Sequence, residues 1–294
     1  MGCTNLVADT SVFVYINRNH LVYIPVYVDD IIITGSSNML VIGVIQVLAT
    51  RFSLKEPKDL NYFLGVEATR TSAGLHLMQR KYIIDLLLNT KMLDAKPVTT
   101  LMTVSQNLTL QSGTTIADPR EFRMIVGSLQ YLSITRPDIA YSVNRLSQFM
   151  HRPTDDHWQA AKRVLRYLTG TLSHGIMLRR NTPLSLSLHA YSDADWAGDM
   201  DDYISTNAYI MFIGATPIAW SSKKQSGVAR SSTEAEYRAV AYIVAEMKWV
   251  CSLLTELGIT LAHPSVVFCD NVGATYLSVP LPYEAPCLRL PFCT

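Results

Sequence analysis

The chain has 294 residues, enough for two domains of ordinary size or one large one. With 49% apolar and 17% charged residues it forms cores, which excludes a disordered chain, and a net charge of +1 names no partner. The five cysteines include no CxxC pair, which argues against a zinc site, and apolar runs such as 39–49 are too short to span a bilayer.

Charge is unevenly placed. From His157 to Ser192 there are five basic residues (Lys162, Arg163, Arg166, Arg179, Arg180) and no acid. From Asp193 to Asp202 there are five Asp and no base. This pattern suits either a metal site that holds a polyanion or ordinary solvated faces.

In chain order, 12–15 and 21–28 are β-rich. The second run continues through Asp29-Asp30 into Ile31-Ile32-Ile33-Thr34, which predicts a hairpin with the acids at its turn. The pair serves either the turn itself or the binding of divalent cations for phosphoryl transfer. Asn38 is expected to cap a helix from Met39 to about Arg51. Gly74 turns into a strand over 75–78, and 79–90 is helical with Tyr82, Ile83, Leu86 and Leu87 on one face. Residues 97–118 are polar and aperiodic, a linker over the surface.

Three helices follow. Phe122, Ile125, Val126, Leu129 and Leu132 mark the first; Ile139, Val143, Leu146 and Phe149 the second, restarted at Thr135-Arg136-Pro137. The third runs from Pro153-Thr154 to Gly170, with Trp158, Ala161, Val164, Leu165 and Leu168 inward. From Ile176 the period becomes two, and 176–178, 184–191, 209–213 and 218–221 read as strands. A long helix spans Ser231 to about Gly258, with Ser231 and Glu234 at capping-box spacing. Strand 266–269 ends at Asp270, and the tail after Val279 is irregular.

Asp193 follows the alternation of Leu184, Leu186 and Leu188 onto the opposite face. Glu236 lies just after the helix cap, and Asp270 at a strand end. The three are either one convergent site or unrelated surface acids. Convergent, they suit Mg²⁺ or Mn²⁺, with no His or Cys ligand expected nearby. Asp195 is assigned to the turn, and Asp199, Asp201 and Asp202 to a solvated loop. Trp196, Trp220 and Trp249 are expected in the core. Lys223 and Lys224 either touch phosphate or sit in a solvated loop. His151, His157, His174 and His189 receive no role.

Ordered strings then carry a resemblance. They include Tyr27-Val-Asp-Asp with Ile-Ile-Ile-Thr-Gly after it, Tyr62-Phe-Leu-Gly-Val-Glu, Val126-Gly-Ser-Leu-Gln-Tyr-Leu and Thr135-Arg-Pro-Asp-Ile-Ala. Further on come Arg163-Val-Leu-Arg-Tyr-Leu-Thr-Gly-Thr, Tyr191-Ser-Asp-Ala-Asp-Trp-Ala-Gly, Arg230-Ser-Ser-Thr-Glu-Ala-Glu-Tyr-Arg-Ala and Cys269-Asp-Asn. Over about residues 1 to 279 the chain resembles the C-terminal part of the Pol polyproteins of copia-type LTR retrotransposons.

The resemblance implies an α+β and α/β architecture. Residues 1–110 would be a truncated reverse-transcriptase palm remnant and 111–182 a helical connection. A ribonuclease H-like mixed β-sheet with helices would occupy 183–279, and an irregular tail 280–294. It implies that Asp193, Glu236 and Asp270 bind two Mg²⁺ (or Mn²⁺) ions and cleave the RNA strand of an RNA–DNA hybrid. Glu236 is preferred to Glu234 because an aromatic residue, Tyr237, follows it. Asp29 and Asp30 would be the polymerase-hairpin carboxylates and metal ligands, and Lys223, Lys224 and Arg230 would contact nucleic acid. No membrane partner is implied, and the cytoplasm or nucleus follows by family only.

There are departures. A further polymerase Asp and the fingers are expected upstream of Met1, so the Asp29–Asp30 site is incomplete. A basic, His-containing segment and a fourth acid are missing beyond Val279. Tyr203-Ile-Ser-Thr-Asn-Ala-Tyr stands where a basic residue and Ser-Thr-Gly are usual. Whether the chain is an enzyme stays open between residual ribonuclease H activity, an inactive remnant that at most binds nucleic acid or a partner, and a surface reused by a host.

Overall fold

A computed structural model describes residues 3–17, 20–28, 30–103, 108–180, 186–278 and 287–290, with Asn17 and the last segment described by backbone alone. The first sheet contains β1 (Thr4–Asn5), β2 (Val12–Asn17), β3 (His20–Tyr27), β4 (Asp30–Ile31) and β5 (Thr34–Gly35). Its order is β1-β2-β3-β4, with β5 also on β3. Helix α1 (Asn38–Ala49) covers it, packing Val44 on Val22 and Ile24. The second sheet is β6 (Tyr62–Phe63), β7 (Val66–Thr71), β8 (Gly74–Met78) and β9 (Gly175–Arg179), all antiparallel. Gly74 is required there: its φ is +149°, and a Cβ would sit 2.0 Å from the Leu178 carbonyl oxygen.

Between β8 and β9 lie α2 (Arg80–Asn89), α3 (Arg120–Leu132), a 3₁₀ turn (Pro137–Ile139), α4 (Ala140–Ser147) and α5 (Asp155–Thr169). Their apolar stripes meet in one core that includes Ile83, Leu87, Phe122, Leu129, Ile139, Leu146, Leu165 and Leu168. Thr154 caps α5. Its backbone N–H donates to His157 Nδ1 at 3.0 Å, and His157 Nε2 lies 3.0 Å from the Thr109 carbonyl. This pairing makes Nε2 the protonated nitrogen. Burial pushes the His157 pKa down, which keeps the ring neutral.

The third sheet holds β10 (Leu188–Asp195), β11 (Thr206–Ile213), β12 (Thr216–Lys224), β13 (Ser265–Cys269) and β14 (Cys287–Leu290), in the order β12-β11-β10-β13-β14. Among the described residues of this sheet, only β10 and β13 pair in parallel. Parallel neighbours need a crossover, and α6 (Ser232–Glu256) lies between them in the chain. Its Val240, Ile243 and Met247 pack on Leu188, Ala190 and Val267. Helix α7 (Val272–Ser278) follows β13. The C-terminal part of α6 meets the first sheet: the Val7 and Ala8 N–H groups donate to the Glu256 carboxylate, and Trp249 Nε1 donates to the Ala8 carbonyl. Among the described residues no helix is long and apolar enough to cross a membrane. The chain is thus a mixed α/β structure with several antiparallel sheets.

Several expectations change. Asp193 and Asp195 lie on β10, which continues to Asp195, and Asp199, Asp201 and Asp202 follow in the loop after it; Leu184, Ser185 and most of the tail lie outside the described residues. Lys223 and Lys224 sit on β12, which pairing with β11 extends past its apolar run. The segment after Pro97 is not wholly on the surface, since Leu108 is buried in the helical core. Trp196 and Trp249 are about half exposed, their indole N–H groups held by backbone carbonyls of Ala229 and Ala8. Ser37, not Asn38, is the N-cap of α1.

The largest correction concerns Asp199, which is 3% exposed rather than solvated. Its Oδ2 accepts from Arg145 Nη1 at 2.7 Å and from Lys224 Nζ at 2.6 Å. Burial pushes its pKa up, but the bonds from Lys224, the Asp201 N–H and Arg145 outweigh this and hold it below the usual range. A carboxylate held low contributes stability above the unfolded Asp pKa, about 3.9, and loses it as pH falls. Asp199→Ala is therefore expected to cost about 3 kcal/mol in urea unfolding at pH 7, leaving Arg145 without its carboxylate and Lys224 with Asp202 alone. Asp202→Ala, at an exposed pair with Lys224, is expected to cost under about 1 kcal/mol. The Asp199→Ala deficit should shrink at acid pH.

Candidate metal centre

The register of β10 on β13 sets the site. Ser192 lies opposite Cys269 in the parallel pair, so Asp193 and Asp270 follow as neighbours at the same end of adjacent strands. Leu188, Ala190 and Ser192 are buried beneath α6, and alternation turns Asp193 to the exposed face.

Glu236 comes from the second turn of α6. The cap sets its orientation. Ser231 Oγ accepts from the Glu234 N–H at 3.1 Å, and Glu234 takes the Arg230 N–H at 2.8 Å and Arg238 Nη2 at 2.6 Å. Glu234 is thereby committed to the helix start. Two residues on, Glu236 faces the sheet and is 6% exposed. Its Oε1 accepts from the Ala194 N–H at 3.0 Å, and its Oε2 lies 3.7 Å from Cys269 Sγ. The Glu236 side chain therefore contacts both β10 and β13.

Donor atoms of Glu236, Cys269 and Asp270 lie within 4.8 Å of one another. Asp193 is not in that group, but its charge acts on Glu236. Burial first, then the charges of Asp193 and Asp270, push the Glu236 pKa up against the Ala194 hydrogen bond. Asp193 and Asp270 are thus each near enough to Glu236 to disfavour its charged form. The expectation that no cysteine lies nearby is corrected by Cys269, whose inward position on β13 follows from the strand register. Burial and the adjoining carboxylates push its thiol pKa up. A protonated thiol is a poor ligand, which leaves the hard oxygens of Glu236 and Asp270 as donors. Two oxygens about 2.1 Å from one Mg²⁺ lie at most about 4.2 Å apart, so small side-chain rotations would let them share an ion. The donor set fits Mg²⁺ or Mn²⁺.

The remaining candidates are scattered. Asp195 is half-buried, accepts the Thr206 N–H, and is pushed up in pKa chiefly by burial. Lys224 is spent on Asp199 and Asp202, so it is not a free cation for a polyanion. Lys223 and Arg230 are exposed. In the first sheet, Asp30 is exposed and pairs with Tyr27 as the first residue of the return strand, not in the turn. Val28, in the turn, has φ +49°, a left-handed conformation rare for a β-branched residue. Asp29 lies outside the described residues. Cys269 and Arg145 were missed by sequence reasoning. Cys269 directly precedes Asp270 and alternates inward with Val267, a signal that could have found it.

Comparison with known proteins adds to this. Residues 5–104 match the family model for reverse transcriptase (RNA-dependent DNA polymerase). Over 277 residues, 94% of the chain, it is 62% identical to the retrovirus-related Pol polyproteins from transposons RE2 and RE1 of Arabidopsis thaliana. It spans 19% of the length of each. It is also 45% identical to an uncharacterized mitochondrial protein of Arabidopsis thaliana, over 77% of the chain and 93% of that relative.

The raised Glu236 pKa has a consequence for stability. A carboxyl with a folded pKa above its unfolded value stabilises below the unfolded pKa, and this is lost as pH rises through the folded one. Glu236→Gln is therefore expected to raise the melting temperature of the metal-free protein at pH 7, by about 2–4 °C per kcal/mol relieved, and to give no gain near pH 4. Calorimetry in EDTA at the two pH values checks this.

Proposed function

The chain belongs to the family of copia-type retrotransposon Pol polyproteins, and from that premise we propose that its third sheet is a ribonuclease H-like unit acting on the RNA strand of RNA–DNA hybrids. Residues 183–279 form this unit, 111–182 the helical connection, and 1–110 the palm-derived part of a reverse transcriptase. The helical core reaches back to Ile83, so α2 packs with the connection.

One observation carries the reading. Two parallel strands joined through a crossover helix stay paired as far as Ser192 and Cys269, with Asp193 and Asp270 next in each and Glu236 of that helix against both strands. We assign Asp193, Glu236 and Asp270 as the ligands of Mg²⁺ or Mn²⁺ in a two-ion site. Such ions, when bound, would neutralise the phosphodiester and activate the attacking water. Glu236 is the most constrained ligand, its Oε1 fixed by the Ala194 N–H. Asp193 and Asp270, both exposed, face the substrate side. Lys223 and Arg230 are the exposed cations we assign to phosphate contact. Asp29 and Asp30 are assigned to the polymerase hairpin, in a site that needs a further carboxylate from elsewhere in the polyprotein.

Cleavage of a labelled RNA–DNA hybrid by the purified chain in Mg²⁺ or Mn²⁺ tests this. Losing one ligand should remove several kcal/mol of transition-state stabilisation, so Asp193→Asn and Asp270→Asn are expected to slow cleavage by about 100-fold or more. Equal rates in variant and wild type, or no cleavage by either, would remove the nuclease reading.

A further inference from the structure

We propose that the face of α5 carrying Lys162, Arg163 and Arg166 binds the phosphate backbone of a nucleic-acid strand, as an anchoring surface apart from the carboxylate site. The kind of ligand rests on the nucleic-acid reading above; the surface itself stands on separate observations.

Residues 159, 162, 163 and 166 fall at i, i+3, i+4 and i+7, one face of a helix. With Gln159 they line a cavity of about 340 Å³ whose remaining wall includes Met92 and Leu108. None of the lining residues is acidic. Among the described residues, none of the three cations forms a salt bridge.

The cations are nonetheless held in place. Lys162 Nζ lies 5.2 Å from the Trp158 ring centroid. Arg163 Nη2 donates to Thr100 Oγ1 at 2.5 Å, and Arg166 Nε donates to the Lys96 carbonyl at 2.8 Å. These contacts fix both guanidinium planes before any ligand arrives, which lowers the entropy lost on binding. Arg163 Nε is shielded from water and has no hydrogen-bond partner. An atom that water cannot reach is equally closed to a phosphate oxygen, so contact with a ligand falls to the parts of Lys162, Arg163 and Arg166 that line the cavity.

The spacing favours a strand over a single ion. Lys162 and Arg166 lie one turn apart, about 6 Å along the axis, so positive charge is offered at two points. The run from His157 to Ser192, with five basic residues and no acid, adds no carboxylate of its own to this face. Contacts of this kind position a strand without reading its bases.

The test is binding of a short RNA–DNA hybrid to the full chain in EDTA, with affinity followed against salt concentration. Each lost phosphate contact lowers the slope of log affinity against log salt by about 1. Lys162→Gln, at an exposed position that preserves the fold, and Arg163→Gln are each expected to show that decrease. Lys55→Gln, an exposed lysine outside this face, should keep the wild-type slope. Wild-type slopes in both α5 variants, with normal hybrid binding, overturn the inference and leave the nuclease reading intact. Lowered slopes in a chain that fails to cleave leave the inference standing and remove the nuclease reading. A wild-type chain that binds no hybrid overturns both.

Discussion

The parallel pairing of β10 with β13 is the constraint on which the candidate site depends. It cannot be made by a tight turn, so the chain must cross over, and α6 lies on that path. The helix has its own reason to be there: Val240, Ile243 and Met247 need apolar surface, and Leu188, Ala190 and Val267 provide it. Once that interface forms, Asp193, Asp270 and Glu236 have little freedom in where they stand. The carboxylates gain nothing from this closeness in the absence of a cation. Burial and repulsion push the Glu236 pKa up, a cost borne by the apolar packing behind it. An arrangement unfavourable when empty is what a cation site requires.

A second constraint fixes the sheet to the helices before it. Asp199 sits between Arg145 of α4 and Lys224 of β12, and Arg145 also donates to the Leu108 carbonyl. Trp220 adds a hydrogen bond to the Ser133 carbonyl. Desolvating so many charges is expensive, so this network contributes less net stability than its bond count suggests. Its effect is geometric: the acidic loop after β10 is tied to the helical core instead of moving in solvent. That in turn commits Lys224 internally, while Lys223 and Arg230 stay exposed.

Much of the local structure was legible in the sequence. The stripes of α3, α4 and α5, the Ser231 cap and the alternation that turns Asp193 outward depend on residues a few positions apart, where period and capping chemistry decide the outcome. Preferring Glu236 to Glu234 agrees with the capping bonds that occupy Glu234. What escaped depends on distant partners. Arg145 and Asp199 are 54 positions apart, and nothing in the local pattern of Asp199 marks it as buried. Lys223 and Lys224 look like loop residues until β11 extends their strand. The strand 176–178 belongs to the period-two region by pattern, yet β9 completes the sheet of β8, about a hundred positions earlier. The Leu75–Leu178 and Leu77–Ile176 pairs that fix this register are visible only in the fold.

We propose that Asp193, Glu236 and Asp270 form one divalent-cation site. The most direct measurement is a crystal structure of the chain with Mn²⁺, read by anomalous scattering. Mn²⁺ is expected within bonding distance of Glu236 and Asp270 oxygens, with Asp193 rotated to join them. Mn²⁺ absent from that end of β10 and β13, or bound only by carboxylates elsewhere, would contradict it.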